Sequence, residues 1–219
     1  MKKFLIIFLC VLLFSLLTLP AYAFDDGDLQ LWNTESAEVK INDSLKIKVE
    51  EELRFGDDIS ELYYTHTDGG FDYKVTDGLY MGLSYRHIYT KVKGEWKYES
   101  RPHADGTLKW TIEDFKFSDR SRLELRCPED KSDTWRYRNK LTVEFPWKWT
   151  EFEIQPYVAD EIFIPFHGKK FSQNRLYAGF KMKIMKNLKA ELFYLWQSIK
   201  SDDDWTNFNV LGIKVKAVF

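Results

Sequence analysis

Cysteine is almost absent from this chain of 219 residues, which carries only Cys10 and Cys127. There is no C-x-x-C, no H-E-x-x-H and no cluster of His with Cys, so the spacings that hold zinc or build a redox pair are missing. Proline is sparse, at six residues, and no Pro/Ser-rich linker or low-complexity tract divides the chain, so one domain is the simplest organisation. Neither sign of charge dominates, with 32 Lys and Arg against 34 Asp and Glu and a formal net charge of −2. That balance leaves no electrostatic footprint for nucleic acid. Long hydrophobic runs are missing beyond the N-terminus, so no later segment is able to cross a bilayer as a helix. A helical period is missing as well.

The exception is the start of the chain. Met1-Lys2-Lys3 precedes an apolar stretch from Phe4 to Leu17, and Ala21-Tyr22-Ala23 stands just before Asp25-Asp26. This is the pattern of a secretory signal peptide covering residues 1–23, too short to serve as a spanning helix. Cleavage after Ala23 is expected to leave a single domain of residues 24–219, with Cys127 as its sole thiol and, once Lys2 and Lys3 are gone, a net charge of −4. A lone cysteine forms no internal disulfide. If an exported chain of this kind resides in a membrane it must do so as a closed barrel, because only helices and barrels satisfy every backbone group in lipid.

A period of two runs through nearly everything that follows. In NVLGIKVKAVF, Asn209, Leu211, Ile213, Val215, Ala217 and Phe219 fall on one side of an extended strand, with Lys214 and Lys216 on the other. Leu45, Ile47, Val49, Leu53 and Phe55 alternate with Lys46, Lys48, Glu50, Glu52 and Arg54. Tyr63, Thr65, Thr67, Phe71 and Tyr73 oppose His66, Asp68 and Asp72, and Leu79, Met81, Leu83, Tyr85 and Tyr89 continue one greasy face. Later segments set Leu123 and Leu125 against Arg120, Arg122, Glu124 and Arg126, and Trp135, Tyr137, Leu141 and Val143 against Arg136, Arg138, Lys140 and Glu144. Such strands are apolar outside and wet inside.

The expected fold is therefore all-β, a transmembrane antiparallel up-and-down barrel of about 10–12 strands. Ser44 to Phe219 yields ten strands, and Asp28 to Ile41 is an eleventh segment of poor alternation that either splits into two short strands, making twelve, or lies outside the pairing. Bacterial barrels use even numbers, which favours twelve. Connections near Glu113-Asp114, Pro146-Trp147-Lys148 and Lys186-Asn187 read as tight, and those near Lys93, Asp130, Gly168 and Asp203 as longer and more polar, the one at Lys93 being the longest. Short periplasmic turns and longer outer loops are the usual outer-membrane arrangement. With the C-terminus in the periplasm, Trp147 and Trp149 fall at the inner girdle and Tyr89, Trp135, Trp196 and Trp205 near the outer one. Phe219, an aromatic at the end of the last strand, resembles the assembly signal read by the barrel-assembly machinery. The location implied is the outer membrane of a Gram-negative bacterium, with outer-membrane lipid as the surrounding partner. A soluble periplasmic β-barrel that binds an apolar ligand also alternates with period two and stays open as an alternative.

The stretches FSDRSRLELR, WRYRNKL, IQPYVADEIF and NRLYAGFKMKIMKNLKAELFYLWQS, closing on NVLGIKVKAVF, resemble the bacterial DUF2490 family over about Leu29 to Phe219. The resemblance implies an outer-membrane barrel of unassigned activity and transfers no catalytic residue.

Function must then be sought on the inward face. Its basic set, Arg101, Arg120, Arg122, Arg126, Arg136, Arg138, Lys140 and Arg175, shares the expected lumen with Asp105, Glu124, Glu144 and Glu161. Either the arginines line a path favouring anions, giving a porin-like channel, or they pair with the carboxylates as a salt-bridged plug in a structural barrel. A lipid-modifying enzyme is the third reading, and it needs a nucleophile beside a base. His66, His87, His103 and His167 are the only imidazoles and form no spaced set with a serine, so no catalytic residue is assigned. His87, outward near the top of its strand, is the best single candidate; His103 with Asp105 is a possible oriented base that reads equally as two polar lumen residues. Asp202-Asp203-Asp204 beside Trp205 is an acidic loop, solvated by default. No metal or cofactor is expected.

Overall fold

The computed structural model describes residues 25–167, 171–201 and 204–219. The expected signal peptide of residues 1–23, Gly168 and the acidic pair Asp202-Asp203 lie outside those residues. Eleven strands follow one another: β1 Leu29–Lys40, β2 Leu45–Gly56, β3 Glu61–Lys74, β4 Leu79–Val92, β5 Glu95–Ile112, β6 Phe115–Pro128, β7 Thr134–Glu144, β8 Gln155–Pro165, β9 Gln173–Met185, β10 Leu188–Ser201 and β11 Asp204–Val218. Each pairs with its sequence neighbour, and β1 pairs with β11 to close the barrel.

The count corrects the expectation of twelve strands and, at one place, the purely antiparallel expectation. A meander reverses direction at every turn, so an odd number of strands brings the first and last together running the same way. The β1–β11 seam is accordingly parallel, from Leu29 opposite Asn209 to Glu38 opposite Val218. β1 does not split, because it is also laddered to β2 from Leu31 opposite Phe55 to Lys40 opposite Lys46. Its alternation is poor for a visible reason. Gln30, Trp32, Thr34 and Glu38 are buried inside, whereas the outward side runs from Leu29 and Leu31 to Asn33 and the exposed Glu35. Glu35 faces Glu51 of β2, itself exposed.

Elsewhere the barrel is inside out relative to a soluble fold. Ile47, Val49, Phe71, Met81, Leu83, Leu108, Leu123, Leu141, Val158, Leu176, Leu192, Leu211 and Ile213 stand exposed on the outer wall, while Arg86, Arg101, Arg122, Glu124, Arg138, Glu161 and Arg175 are buried. Aromatic clusters stand at both ends of this apolar band. Phe145 stacks on Trp147 at 5.2 Å and Trp149 meets Phe180 at the end where β11 finishes, while Tyr89, Tyr98 and His87 group at the other, where Phe171 also meets Trp205 at 5.7 Å. Trp135 and Trp196 are exposed on that same half.

Two local departures change what the sequence pattern implied. In the β2–β3 ladder Arg54 faces Tyr64 and Phe55 faces Leu62, so Tyr63 is the extra residue of a bulge. The bulge turns Tyr63 off the outer face, and its hydroxyl donates to Oε1 of the buried Gln30 at 2.7 Å. The connection at Lys93, expected to be the longest, is the two-residue turn Lys93-Gly94 with φ of 52° and 84°. Two successive positive φ values match the right-handed twist of the flanking strands, so β4 and β5 zip to their tips, Val92 opposite Glu95. The connection of residues 145–154, expected to be tight, is long and carries a bridge from Trp149 to Ile154. Connection length therefore does not distinguish the two ends of this barrel. Because the seam is parallel, residues 25–28 sit at the end opposite Phe219; Gly27 donates to the Asn207 carbonyl at 2.7 Å, and Phe219 donates to the Glu38 carbonyl at 2.8 Å.

Candidate functional site

The lumen has two unlike walls. Along β8–β11 and β1 the inward positions hold Tyr157, Ala159, Tyr177, Phe193, Leu195, Phe208, Val210 and Trp32, a buried apolar cluster. Phe193 fits there because its register partners are Gly179 and Gly212, and a Cβ on either glycine would run into Phe193. The opposite wall, β2–β7, is ionic. Its arginines and lysines reach across to the rings and carboxylates of the other side.

Two carboxylates organise the ionic wall. Glu124, fully buried, accepts from Arg136 at 2.6 and 2.8 Å on one oxygen and from Arg138 at 2.7 Å on the other. Glu161, 1% exposed, accepts from Arg138 at 2.7 Å, Arg120 at 3.0 Å and the Tyr177 hydroxyl at 3.0 Å, with Arg175 3.7 Å away. In register, Arg122 faces Arg138 and Arg120 faces Lys140. Like charges opposed across strands repel, and these two carboxylates, set among them, supply the balance. Asp105 takes Arg122 in a fork at 2.6 and 3.0 Å, and Glu99 takes Arg126 at 3.0 and 2.8 Å and Arg101 at 2.5 Å. Lys140 makes no ion pair among the described residues; its ammonium lies 3.6 Å from the centre of the Tyr177 ring.

All eight expected basic residues thus belong to the lumen, and three of the four expected acidic ones, Asp105, Glu124 and Glu161, stand among them. Glu144 also lines the lumen, but lower down and away from the arginines. It ends β7, six residues beyond Arg138 or ~20 Å along an extended strand, and pairs with Lys181 at 2.5 Å instead. The partner of Arg101 and Arg126 is Glu99, which the sequence reading did not single out.

A second set was not foreseen. The Arg54 guanidinium lies 3.7 Å from the centre of Trp32 and 4.1 Å from that of Tyr64, Arg175 lies 4.6 Å from Trp32 and 4.8 Å from Phe163, and Arg138 lies 4.6 Å from Phe163. Tyr64, Arg54, Trp32, Arg175, Phe163 and Arg138 form one alternating stack of rings and guanidiniums across the lumen, from β3 to β7. Each such contact is worth about 0.5–2 kcal/mol, more where water is excluded. The signal in the sequence was a tryptophan on the one segment whose alternation failed.

Below the stack the lumen holds a small chamber of about 170 Å³ and then a vestibule of about 980 Å³. Arg120, Arg122, Lys48, Glu50 and Lys214 line both. The vestibule reaches residues at the end of the barrel that carries Phe219, among them Lys40, Lys46, Lys116, Lys186 and Val218. At its rim Glu153, in the connection after β7, lies between Lys148 and Lys183, whose ammonium groups hold its carboxyl below the usual carboxylate range.

The imidazoles do not assemble a catalytic set. His103 is buried, with Nε2 3.6 Å from Asp68 and 3.7 Å from Asp105, and those carboxylates are taken by Arg86 and Arg122. His87 faces outward opposite Ser100, its ring centre 4.5 Å from that of Tyr98 and 5.1 Å from that of Tyr89, as one member of an aromatic cluster. No group of three or more His, Cys, Asp or Glu stands in metal-holding geometry among the described residues.

A family model described as "Protein of unknown function (DUF2490)" matches residues 29–208. The chain belongs to the DUF2490 family. Among solved structures, the translocator domain of autotransporter NalP from Neisseria meningitidis is similar to this DUF2490 chain, with a TM-score of 0.45 and 9% identity, covering 77% of this chain and 72% of that one. No curated protein matches. In this DUF2490 chain the lumen, with its arginine stack above and its lysine-lined vestibule below, is the place where a function is to be sought.

Proposed function

We propose that this protein is a small outer-membrane barrel that closes its own lumen and acts by binding and by structure, not as an open diffusion pore. The outward apolar band with aromatics at both ends supports membrane residence, since a soluble barrel would leave that wall in water. The observation that carries the closed reading is the stack from Tyr64 to Arg138, tied at its guanidiniums to Glu52, Glu161 and Glu124. Charges buried this way are held by several partners each, and loosening one leaves another unpaired.

Planar-bilayer recording of the refolded mature chain is the test. A folded barrel is expected to show no steady conductance, and replacing Trp32, Arg54 and Phe163 together by Ala is expected to produce ion passage. Steady anion-selective steps from the unaltered protein would overturn the closed reading in favour of a porin-like channel. Membrane residence is checked separately by fractionation and by heat-modifiable migration; recovery in the soluble periplasmic fraction would remove it. N-terminal sequencing of the exported protein is expected to begin at Phe24.

A further inference from the structure

We propose that the vestibule is a binding site for a soluble anion bearing several phosphate groups, taken up from the end of the barrel that carries Phe219. The proposal rests on the closed-lumen reading in that the stack gives the vestibule a floor. Twelve lysines and two arginines line the cavity against seven carboxylates. That excess exceeds what internal pairing absorbs. Glu38 is shared by Lys46 and Lys216, Asp72 holds Lys48, Glu144 holds Lys181, and Glu153 is shared by Lys148 and Lys183. Lys40, Lys109, Lys116, Lys186, Lys189 and Lys214 are left with no ion pair among the described residues.

These six come from β1, β5, β6, β10, β11 and the turn before β10, so they surround the cavity instead of forming one solvated edge. A concave wall with a net excess of one sign focuses its field and concentrates counter-ions, and about 980 Å³ lies in the range of small-molecule sites. A single charge would leave most of the ammonium groups repelling one another; a ligand with three or more negative charges relieves several at once. The choice of phosphate comes from charge density. A short polyphosphate carries three or more negative charges within a few ångströms, each of which a lysine meets as a compact point charge; arginine, whose planar fork grips carboxylate and phosphate alike, is confined to the cavity floor as Arg120 and Arg122.

The test is calorimetric titration of the refolded mature chain with sodium tripolyphosphate at low and at moderate salt. Saturable binding is expected, weakening about tenfold or more between 50 and 300 mM salt as screening shortens the reach of each ammonium. The triple variant Lys109→Gln, Lys116→Gln, Lys189→Gln is expected to lose tenfold or more while keeping its heat-modifiable migration. Lys97→Gln, whose ammonium pairs with Asp130 at the other end, is expected to leave binding unchanged. Absence of saturable binding by a folded barrel, or equal loss in both variants, would overturn the site. Citrate binding as tightly as tripolyphosphate would overturn the phosphate class, and binding confined to phosphatidic acid in mixed micelles would overturn the soluble ligand. Conductance in the unaltered protein that tripolyphosphate blocks would keep the site and remove the closed lumen; silence with no binding would do the reverse.

Discussion

At the scale of single residues, Glu124 is where stability concentrates. It holds Arg136 and Arg138 with no exposure of its own, so Glu124→Gln leaves Arg136 with a neutral partner and Arg138 with Glu161 alone, which Arg120 already shares. Breaking a buried pair from one side costs about 3–5 kcal/mol, and the variant is expected to show that loss in urea unfolding followed by gel migration. Glu153→Gln, at the exposed rim, is expected to unfold with the unaltered protein. The Trp32–Arg54 contact has its own measure: a double-mutant cycle through Trp32→Leu and Arg54→Met is expected to return a coupling of about 0.5–2 kcal/mol. A cycle that closes to zero would demote the stack to mere filling. Alternation was sufficient to place Arg122, Arg136 and Arg138 inward. It was silent on which carboxylate each meets, so Glu144 was grouped with them although the strand carries it far below, and Glu99 went unnoticed.

At the scale of elements, the seam is the feature most open to direct proof. Leu31 and Leu211 are register partners across the parallel β1–β11 pair. Neighbouring strands lie about 4.8 Å apart, within the span a disulfide bridges. In a Cys127→Ser background, Leu31→Cys with Leu211→Cys is expected to oxidise to an internal bridge, seen as a mobility change that reductant reverses. A twelve-strand barrel would put another strand between them and no bridge would form. The same element explains its own poor legibility. Glu35 and Glu51 face each other on the outer wall, where like charges repel and where, on the proposed membrane reading, lipid disfavours both. Replacing both by Leu is expected to raise unfolding stability by about 1 kcal/mol or more. β3 failed differently, since one bulged residue moved Tyr63 from the outer face to the lumen and no local pattern announces a bulge of that kind.

At the scale of the whole molecule, charge is sorted by height: arginine with carboxylate and ring in the stack, lysine around the vestibule. A barrel of eleven strands is narrow enough for Arg54 of β2 and Arg175 of β9 both to reach Trp32. The expected silence in planar bilayers and the expected uptake of a polyphosphate belong to this scale, because neither is a property of one strand. Gly212→Val, on β11 beneath the Phe193 ring, is expected to lower folding yield for the same reason. The substitution raises the strand's propensity and obstructs only the packing of one strand's ring on its neighbour.

The sequence by itself determined that the chain is built of two-faced strands, that the apolar face looks outward and the charged face inward, and that the arginines gather in the lumen. All of this follows from a period of two, which each strand carries alone. The tertiary structure decided the strand count, the parallel seam, the ion-pair partners, and the division of the lumen into an arginine stack and a lysine vestibule. Those depend on closure and on cross-strand register, which set who meets whom across the lumen, and a period of two is the same for every register that keeps its faces.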